Sequence, residues 1–390
     1  MGSGVSVEII THAKKLIDTA KDNTSTERTN ALKQLCDLAD NNNYRKSLAS
    51  SESGLLQVLL SILKDDNSCD DTKKNASGII FSLSYDNDVG LLLAKESGLM
   101  EVCVSTINSP CVMDIKYNLL AGIVNLLNGT GNTGKSKDAI SILVSKELQL
   151  LPTLHDIIKS DKEHIQIREL SVFALASMAC LMTKENIQVM IDNKIHELVV
   201  DLLRPLDKKS TESWPNINSP NSYGRRCIVF LMNFSRHEQG ALAVKAIGGD
   251  EVIEPLVTIS SRNIDINIYA AFALAFVTGR EEFKKATGKE ALLVSVPKTL
   301  DYLIDVFKNT LDCKEGPGYV FGIFKLPTIV CAVAILAISD ANKKLLVTSP
   351  VLEYLIKVLE RFINNEGELT GEQIKGSGWI NKCGGGGGSH

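Results

Sequence analysis

The chain has 390 residues, of which 44% are hydrophobic, 23% charged and only 5% aromatic. These proportions are typical of a soluble globular protein and exclude a mainly disordered, collagen-like or fibrous chain. The formal charge of −4 argues against a dedicated nucleic-acid-binding protein, because such proteins carry a strong basic excess or stripe that neutralises phosphates.

From the N-terminus, the amphipathic pattern of residues 7–21 predicts a helix, which we interpret as a cap occupying residues 1–24. Beyond residue 25, successive helical runs end in a small or polar residue, a large apolar residue and another small one, as in Ser82-Leu83-Ser84 and Asn233-Phe234-Ser235. The first residue of this ending recurs at positions 37, 82, 125, 177, 233, 276 and 337.

A second landmark follows each ending. A short polar stretch leads to a turn residue and then to another amphipathic helix, as at Gly54-Leu55-Leu56 and Gly98-Leu99-Met100. The theme returns near residues 150, 195, 249, 298 and 351. A period of about 40–47 residues with two or three helices per unit is typical of HEAT and armadillo repeats, in which stacked units bury a core that one unit cannot bury alone.

These two landmarks together resemble the armadillo family, whose long third helix ends in an Asn-Leu-Ser-like turn before a repeat that opens with Gly and two apolar residues. The resemblance spans residues 25–365. It implies an all-α, right-handed α-solenoid of about seven armadillo-like repeats, with a concave groove lined by third helices. The nuclear-import type places a Trp before each groove Asn, and this chain has only two Trp residues, so we do not expect it to bind basic localisation signals.

In such arrays an Asn ladder on the third helices hydrogen-bonds an extended peptide, so we looked for polar residues at the endings and seven residues before them. Residues i and i+7 share a helix face. The candidate partner-binding residues are Asn30, Asn75, Asn118, Asn125, Arg226 and Asn233. The alternative, that these side chains cap turns or bond loops within the array, stays open.

Residues 205–223 form a predicted inter-repeat loop that contains Trp214, shortly before Arg225-Arg226. An aromatic ring beside arginines suits a binding hot spot or a stacking site for a base. The alternative is that Trp214 packs its own loop onto the array.

The segment from Gly129 to Ser136 matches the phosphate-binding pattern G-x-x-x-x-G-K-[ST], with Gly134 before Lys135. In a P-loop, Lys135 would reach the β- and γ-phosphates and Ser136 would hold Mg²⁺, but the motif requires a preceding strand within a βαβ unit. Residues 116–128 instead have apolar residues at helical spacing. We therefore predict a polar loop between repeats, with nucleotide binding as the minor alternative.

Residues 319–338 are nearly all apolar but include Lys325 and Pro327. Because a spanning helix tolerates both poorly in its middle, we predict a buried helix that starts near Pro327. After Phe362 the chain turns polar and Gly-rich, and residues 366–390 are predicted to be a flexible tail or linker.

The sequence contains no CxxC pair, HxxxH pair, Ser/His/Asp order or paired-carboxylate motif. We therefore predict a non-enzymatic, cytoplasmic scaffold that binds a protein or peptide in its groove, with no metal, cofactor, nucleic acid or membrane. The alternative rests on layout: an array before a poly-Gly segment is similar to the armadillo part of armadillo–TIR signalling proteins. That likeness implies a regulatory, nucleotide-sensing array acting on an effector domain beyond His390.

Overall fold

A computed structural model describes residues 7–21, 25–129, 136–181, 183–204, 223–258, 264–284, 293, 296, 298–312 and 326–363. All the regular elements in these ranges are helices, as the sequence predicted. The helices are α1 (Val7–Lys21), α2 (Ser25–Ala39), α3 (Asn42–Ala49), α4 (Leu55–Lys64), α5 (Asp70–Leu83), α6 (Asn87–Lys95), α7 (Leu99–Asn108), α8 (Met113–Gly129), α9 (Ser136–Leu143), α10 (Leu150–Lys159), α11 (Ile165–Leu181), α12 (Lys184–Asp192), α13 (Ile195–Leu203), α14 (Tyr223–Ser235), α15 (Glu238–Ala246), α16 (Gly249–Thr258), α17 (Ile264–Lys284), α18 (Thr299–Asp312), α19 (Leu326–Leu336), α20 (Asp340–Val347) and α21 (Val351–Ile363).

The helices repeat in the order first, second and third. First helices are short (α3, α6, α9, α12, α15 and α20), second helices are α4, α7, α10, α13, α16, α18 and α21, and third helices are α2, α5, α8, α11, α14, α17 and α19. The seven sequence endings therefore correspond to seven third helices. The chain has two compact units, an amino-terminal unit of residues 1–181 and a carboxy-terminal unit of residues 182–390.

In each unit, helices of the same class pack against one another. In the amino-terminal unit the third helices α2, α5, α8 and α11 contact one another in order, and the second helices α4, α7 and α10 do the same. In the carboxy-terminal unit α14, α17 and α19 form the row of third helices. This nearest-neighbour arrangement is what buries a continuous core in a repeat array.

The turn before six of the seven second helices explains the glycine landmark. The residue that precedes the helix has a left-handed backbone, with φ of 70° at Gly54 and 80° at Gly98. The corresponding residues in later repeats are Gln149, Lys194, Gly248 and Lys298, with φ between 55° and 71°. Because three of these six residues are not glycine, the sequence landmark is clear in only some repeats.

The second helices α4 and α10 share one pattern of buried positions, counted from their first residue: 1, 2, 4, 5, 8 and 9. In α4 these are Leu55, Leu56, Val58, Leu59, Ile62 and Leu63, all 5% exposed or less. In α10 they are Leu150, Leu151, Thr153, Leu154, Ile157 and Ile158, with the same limit. This register buries one broad face of each of these two helices.

The ends of the array fall as follows. Helix α1 contacts α2 and α4, and so takes the position of a second helix at the amino-terminal end; its capping role stays a prediction.

Helix α19 has Pro327 in its first turn, as expected, whereas residues 319–325 lie outside the described residues. None of the described helices combines the length and apolar character needed to cross a membrane. The tail, 366–390, is also outside the described residues.

Candidate partner-binding surface

Four of the predicted site residues lie on the third helices of the amino-terminal unit. Asn30 on α2 is exposed, and Asn75 on α5 and the α8 pair Asn118 and Asn125 are half-buried. We call the exposed faces of α2, α5, α8 and α11 the third-helix surface. The prediction that Asn118 and Asn125 share one helix face is consistent with their similar exposure.

Hydrogen bonds fix three of these amides to the preceding repeat. Asn118 Nδ2 donates to Ser77 Oγ at 3.2 Å, and Asn125 Nδ2 donates to Ser84 Oγ at 3.1 Å. Asn75 Nδ2 donates to the backbone carbonyl of Thr29 at 3.4 Å. A primary amide offers two N–H donors and a carbonyl acceptor. One bond of this kind therefore orients the group and leaves its second N–H and its carbonyl to form hydrogen bonds on the exposed side.

Further polar links join the same helices. Ser82 Oγ donates to Asp40 Oδ1 at 2.6 Å, and the hydroxyls of Thr29 and Thr72 lie 2.7 Å apart. Lys116 and Glu163 form an ion pair at 2.7 Å whose side chains are only 13% and 19% exposed. Each of these links spans two neighbouring repeats and so ties them together.

Aromatic side chains border the asparagines. Tyr85, just after α5, is 55% exposed and packs edge-to-face on Phe81 with ring centroids 5.1 Å apart. The Arg45 guanidinium lies 5.4 Å from the Tyr85 ring centroid, and Tyr117 on α8 is 40% exposed. The sequence analysis missed these rings. The spacing of Phe81 and Tyr85, four residues apart, was the available signal.

The cysteines behave as packing residues where they are buried. Cys103 is almost fully buried, and desolvation, with a smaller effect of Glu101, raises the pKa of its thiol to about 12. Burial also raises the pKa of Cys227. Exposed Cys69 differs, because hydrogen bonds from Thr72 lower the pKa of its thiol. Within the described ranges, no cluster of three His, Cys, Asp or Glu residues is placed to hold a metal ion.

The predicted residues of the carboxy-terminal unit are placed differently. Arg226 is 7% exposed and Asn233 is fully buried, where its Nδ2 donates to the Val229 carbonyl one turn earlier at 3.1 Å. The expected Arg226/Asn233 stripe thus lies inside the unit, because α14 is enclosed by neighbouring helices on nearly every side. Trp214 lies outside the described residues.

The P-loop match is flanked by helices. Residues 130–135, which include Gly134 and Lys135, lie outside the described residues, but α8 runs up to Gly129 and α9 begins at Ser136. A phosphate-binding loop of this type follows a strand. In the described sequence around the motif, a helix occupies that place.

No family model matches the sequence, and no curated protein matches it either. The fold is similar to that of a designed armadillo repeat protein, at 21% identity and a TM-score of 0.54 over 68% of this chain and 99% of the other. The fold is also similar to a crystal structure of computationally designed armadillo repeat proteins for modular peptide recognition. The identity is 20% and the TM-score 0.54, over 68% of this chain and 99% of the other. An engineered protein is similar at 18% identity and a TM-score of 0.58, over 94% of this chain and 76% of the other. With its three-helix units and rows of like helices, the chain therefore has an armadillo-like repeat fold.

Proposed function

We propose that the chain is a non-enzymatic interaction scaffold whose third-helix surface binds an extended segment of a partner protein. One observation carries the proposal: half-buried asparagine amides recur on α5 and α8, each oriented by a hydrogen bond that it donates to the preceding repeat. Amides held in this way are ready to bind without first losing side-chain freedom.

The spacing suits an extended backbone. Packed helices lie about 8–10 Å apart, and an extended chain advances about 3.3 Å per residue. Asn30, Asn75 and Asn118, one each on α2, α5 and α8, would therefore meet every second or third residue of a segment that crosses these helices. A carboxamide has the donor and acceptor that a peptide N–H and C=O require, which would give affinity with little dependence on sequence.

Specificity would come from the side chains around the ladder. Tyr85 and Tyr117 offer exposed aromatic area, and such rings are enriched among residues that dominate binding energy. The peptide recognition named for the designed armadillo repeat proteins is a property of those proteins, and it makes the same mode a reasonable proposal for this fold.

The test begins with a library of random twelve-residue peptides selected against the full-length chain. Kd values of the selected peptides are then measured for wild type and for the Asn118→Ala/Asn125→Ala double variant. We expect the double variant to bind at least ten-fold more weakly. Asn43→Ala is the matched control, because Asn43 is an exposed asparagine on the first helix α3, and it should bind like wild type.

A second control separates binding from folding. Ser77→Ala and Ser84→Ala remove the same inter-repeat hydrogen bonds but leave both asparagines in place. If the amides contact the peptide, the serine variants lose less affinity than the Asn118→Ala/Asn125→Ala variant, because they remove the bonds that orient the amides but not the amides themselves. Equal losses of affinity and of melting temperature in the asparagine and serine variants would make the ladder purely structural and would refute the proposal.

A further inference from the structure

The last helix, α21, has the sequence pattern of a second helix. Apolar residues stand at its positions 1, 2, 4, 5, 8 and 9, the same positions that are buried in α4 and α10. In α21 they are Val351, Leu352, Tyr354, Leu355, Val358 and Leu359.

The burial of these positions is incomplete. Val351 and Val358 are each 1% exposed, whereas Leu352 is 37% and the adjacent Ile356 is 45% exposed. Tyr354, Leu355 and Leu359 are half-buried. One flank of α21 is thus packed and the other is open, although its residues are as apolar as their fully buried counterparts in α4.

The neighbours of each helix explain the difference. The second helices α4, α7, α10, α13 and α16 each contact the third helix that follows them. Helix α21 contacts α18 and α20, and it is the last helix in the described part of the chain. At position 2 of the second helix α13, His196 stacks on Phe234 of the third helix α14. Leu352 holds that position in α21, so the open flank lies on the side that a third helix occupies beside α13.

We propose that this flank, defined by Leu352, Leu355, Ile356 and Leu359 and called the open α21 face, docks an amphipathic helix of a partner protein at the third-helix position. The same kind of interface, between a second helix and the third helix that follows it, occurs five times within the chain. The partner helix would match the third helices in chemistry, with small and aliphatic residues on one side. In α5 these residues are Ala76, Ile79, Ile80 and Leu83, all buried.

A second copy of this chain fits the open α21 face less well. A helix of 13 residues is about 20 Å long and about 10 Å wide, so two copies pairing through α21 alone would bury far less than the roughly 800 Å² per partner of a stable interface. Stacking the other end of a copy here is also unfavourable, because α1 exposes His12, Lys14 and Lys15.

The test uses the full-length chain and a fluorescent peptide spanning Asp66–Asp86, which contains α5. The peptide carries Cys69→Ser and a side-chain lactam between Asp70 and Lys74, since an isolated helix of this length is marginal in water. Anisotropy titration should show saturable binding. Leu352→Glu should weaken it at least ten-fold, whereas Val347→Glu, which changes a 65% exposed residue on α20, should leave it within two-fold.

Three results would overturn the proposal: no saturable binding to the wild-type chain, equal binding by the Leu352→Glu variant, or a wild-type dimer in sedimentation equilibrium that Leu352→Glu dissociates. Melting curves confirm that both glutamate variants fold. Asn118→Ala is expected to leave this titration unchanged, so the open α21 face and the third-helix surface can succeed or fail independently.

Discussion

At the scale of single residues, His196 is a titratable group buried in the carboxy-terminal unit. It is 5% exposed, stacks on Phe234 with centroids 6.0 Å apart, and its Nδ1 has no hydrogen-bond partner among the described residues. Burial lowers the pKa of the imidazole; Lys194 lowers it further and Glu197 opposes the shift. A ring in this setting is stable when neutral, because protonation would place a charge where water cannot solvate it.

We therefore expect His196 to make the fold acid-sensitive. With a folded-state pKa below the unfolded value of about 6.5, the unfolded chain binds the proton more readily. The neutral ring's contribution is complete above about pH 6.5 and is lost as the pH falls from there toward the folded-state pKa. Urea unfolding at pH 7.5, 6.5 and 5.5 should show a steeper acid loss in wild type than in His196→Leu. An unchanged pH slope in that variant, or an equal change in exposed His164→Leu, would contradict the assignment.

At the scale of the element, the left-handed residue before six of the seven second helices restricts which residues the turn accepts. Gly98 has φ of 80°, and a Cβ built there would meet nothing closer than Lys64 Nζ at 3.7 Å. The cost of a side chain at Gly98 is thus conformational and not steric. Lys194 holds the same conformation with φ of 55°, and so carries the strain that Gly98 avoids.

The two positions should respond to substitution in opposite directions. Gly98→Ala is expected to lower the free energy of unfolding by about 1–2 kcal/mol, the usual cost of a left-handed non-glycine residue. Lys194→Gly should relieve that strain, but the added freedom of the unfolded chain offsets about 0.5–1 kcal/mol, so we expect no loss of stability. Chemical denaturation measures both, and destabilisation by Lys194→Gly comparable to that by Gly98→Ala would show that φ does not control this turn.

The sequence predicted the positions of some helices better than others. Third helices were located because their endings depend on local periodicity, and α19 was placed by Pro327, which sets a helix start by its own geometry. The repeat boundaries near Gln149 and Lys194 were less regular in sequence, because the turn tolerates a strained residue in place of glycine. Spacing alone could not supply that information.

Exposure was harder to predict than helix position. Asn125 and Asn233 occupy the same place in their sequence endings, yet Asn125 is half-buried and Asn233 is fully buried. The difference arises from how closely neighbouring helices surround α8 and α14, and local sequence does not encode that packing. The Tyr85 and Tyr117 rings were overlooked for the related reason that an apolar residue on a helix is usually assigned to the core.

At the scale of the whole molecule, local contacts make the amino-terminal unit a candidate for independent folding. Its third helices contact their neighbours in order, and its core includes fully buried Leu59. In a repeat array, stability is close to a sum of repeat and nearest-neighbour contributions.

A fragment of residues 1–181 should therefore give a helical circular-dichroism spectrum and a cooperative melt. Leu59→Ala should cost about 2–5 kcal/mol, as buried leucine truncations do, in both the fragment and the full-length chain. A fragment that melts without cooperativity, or a Leu59→Ala penalty confined to the full-length chain, would mean that the unit's stability depends on contacts beyond residue 181.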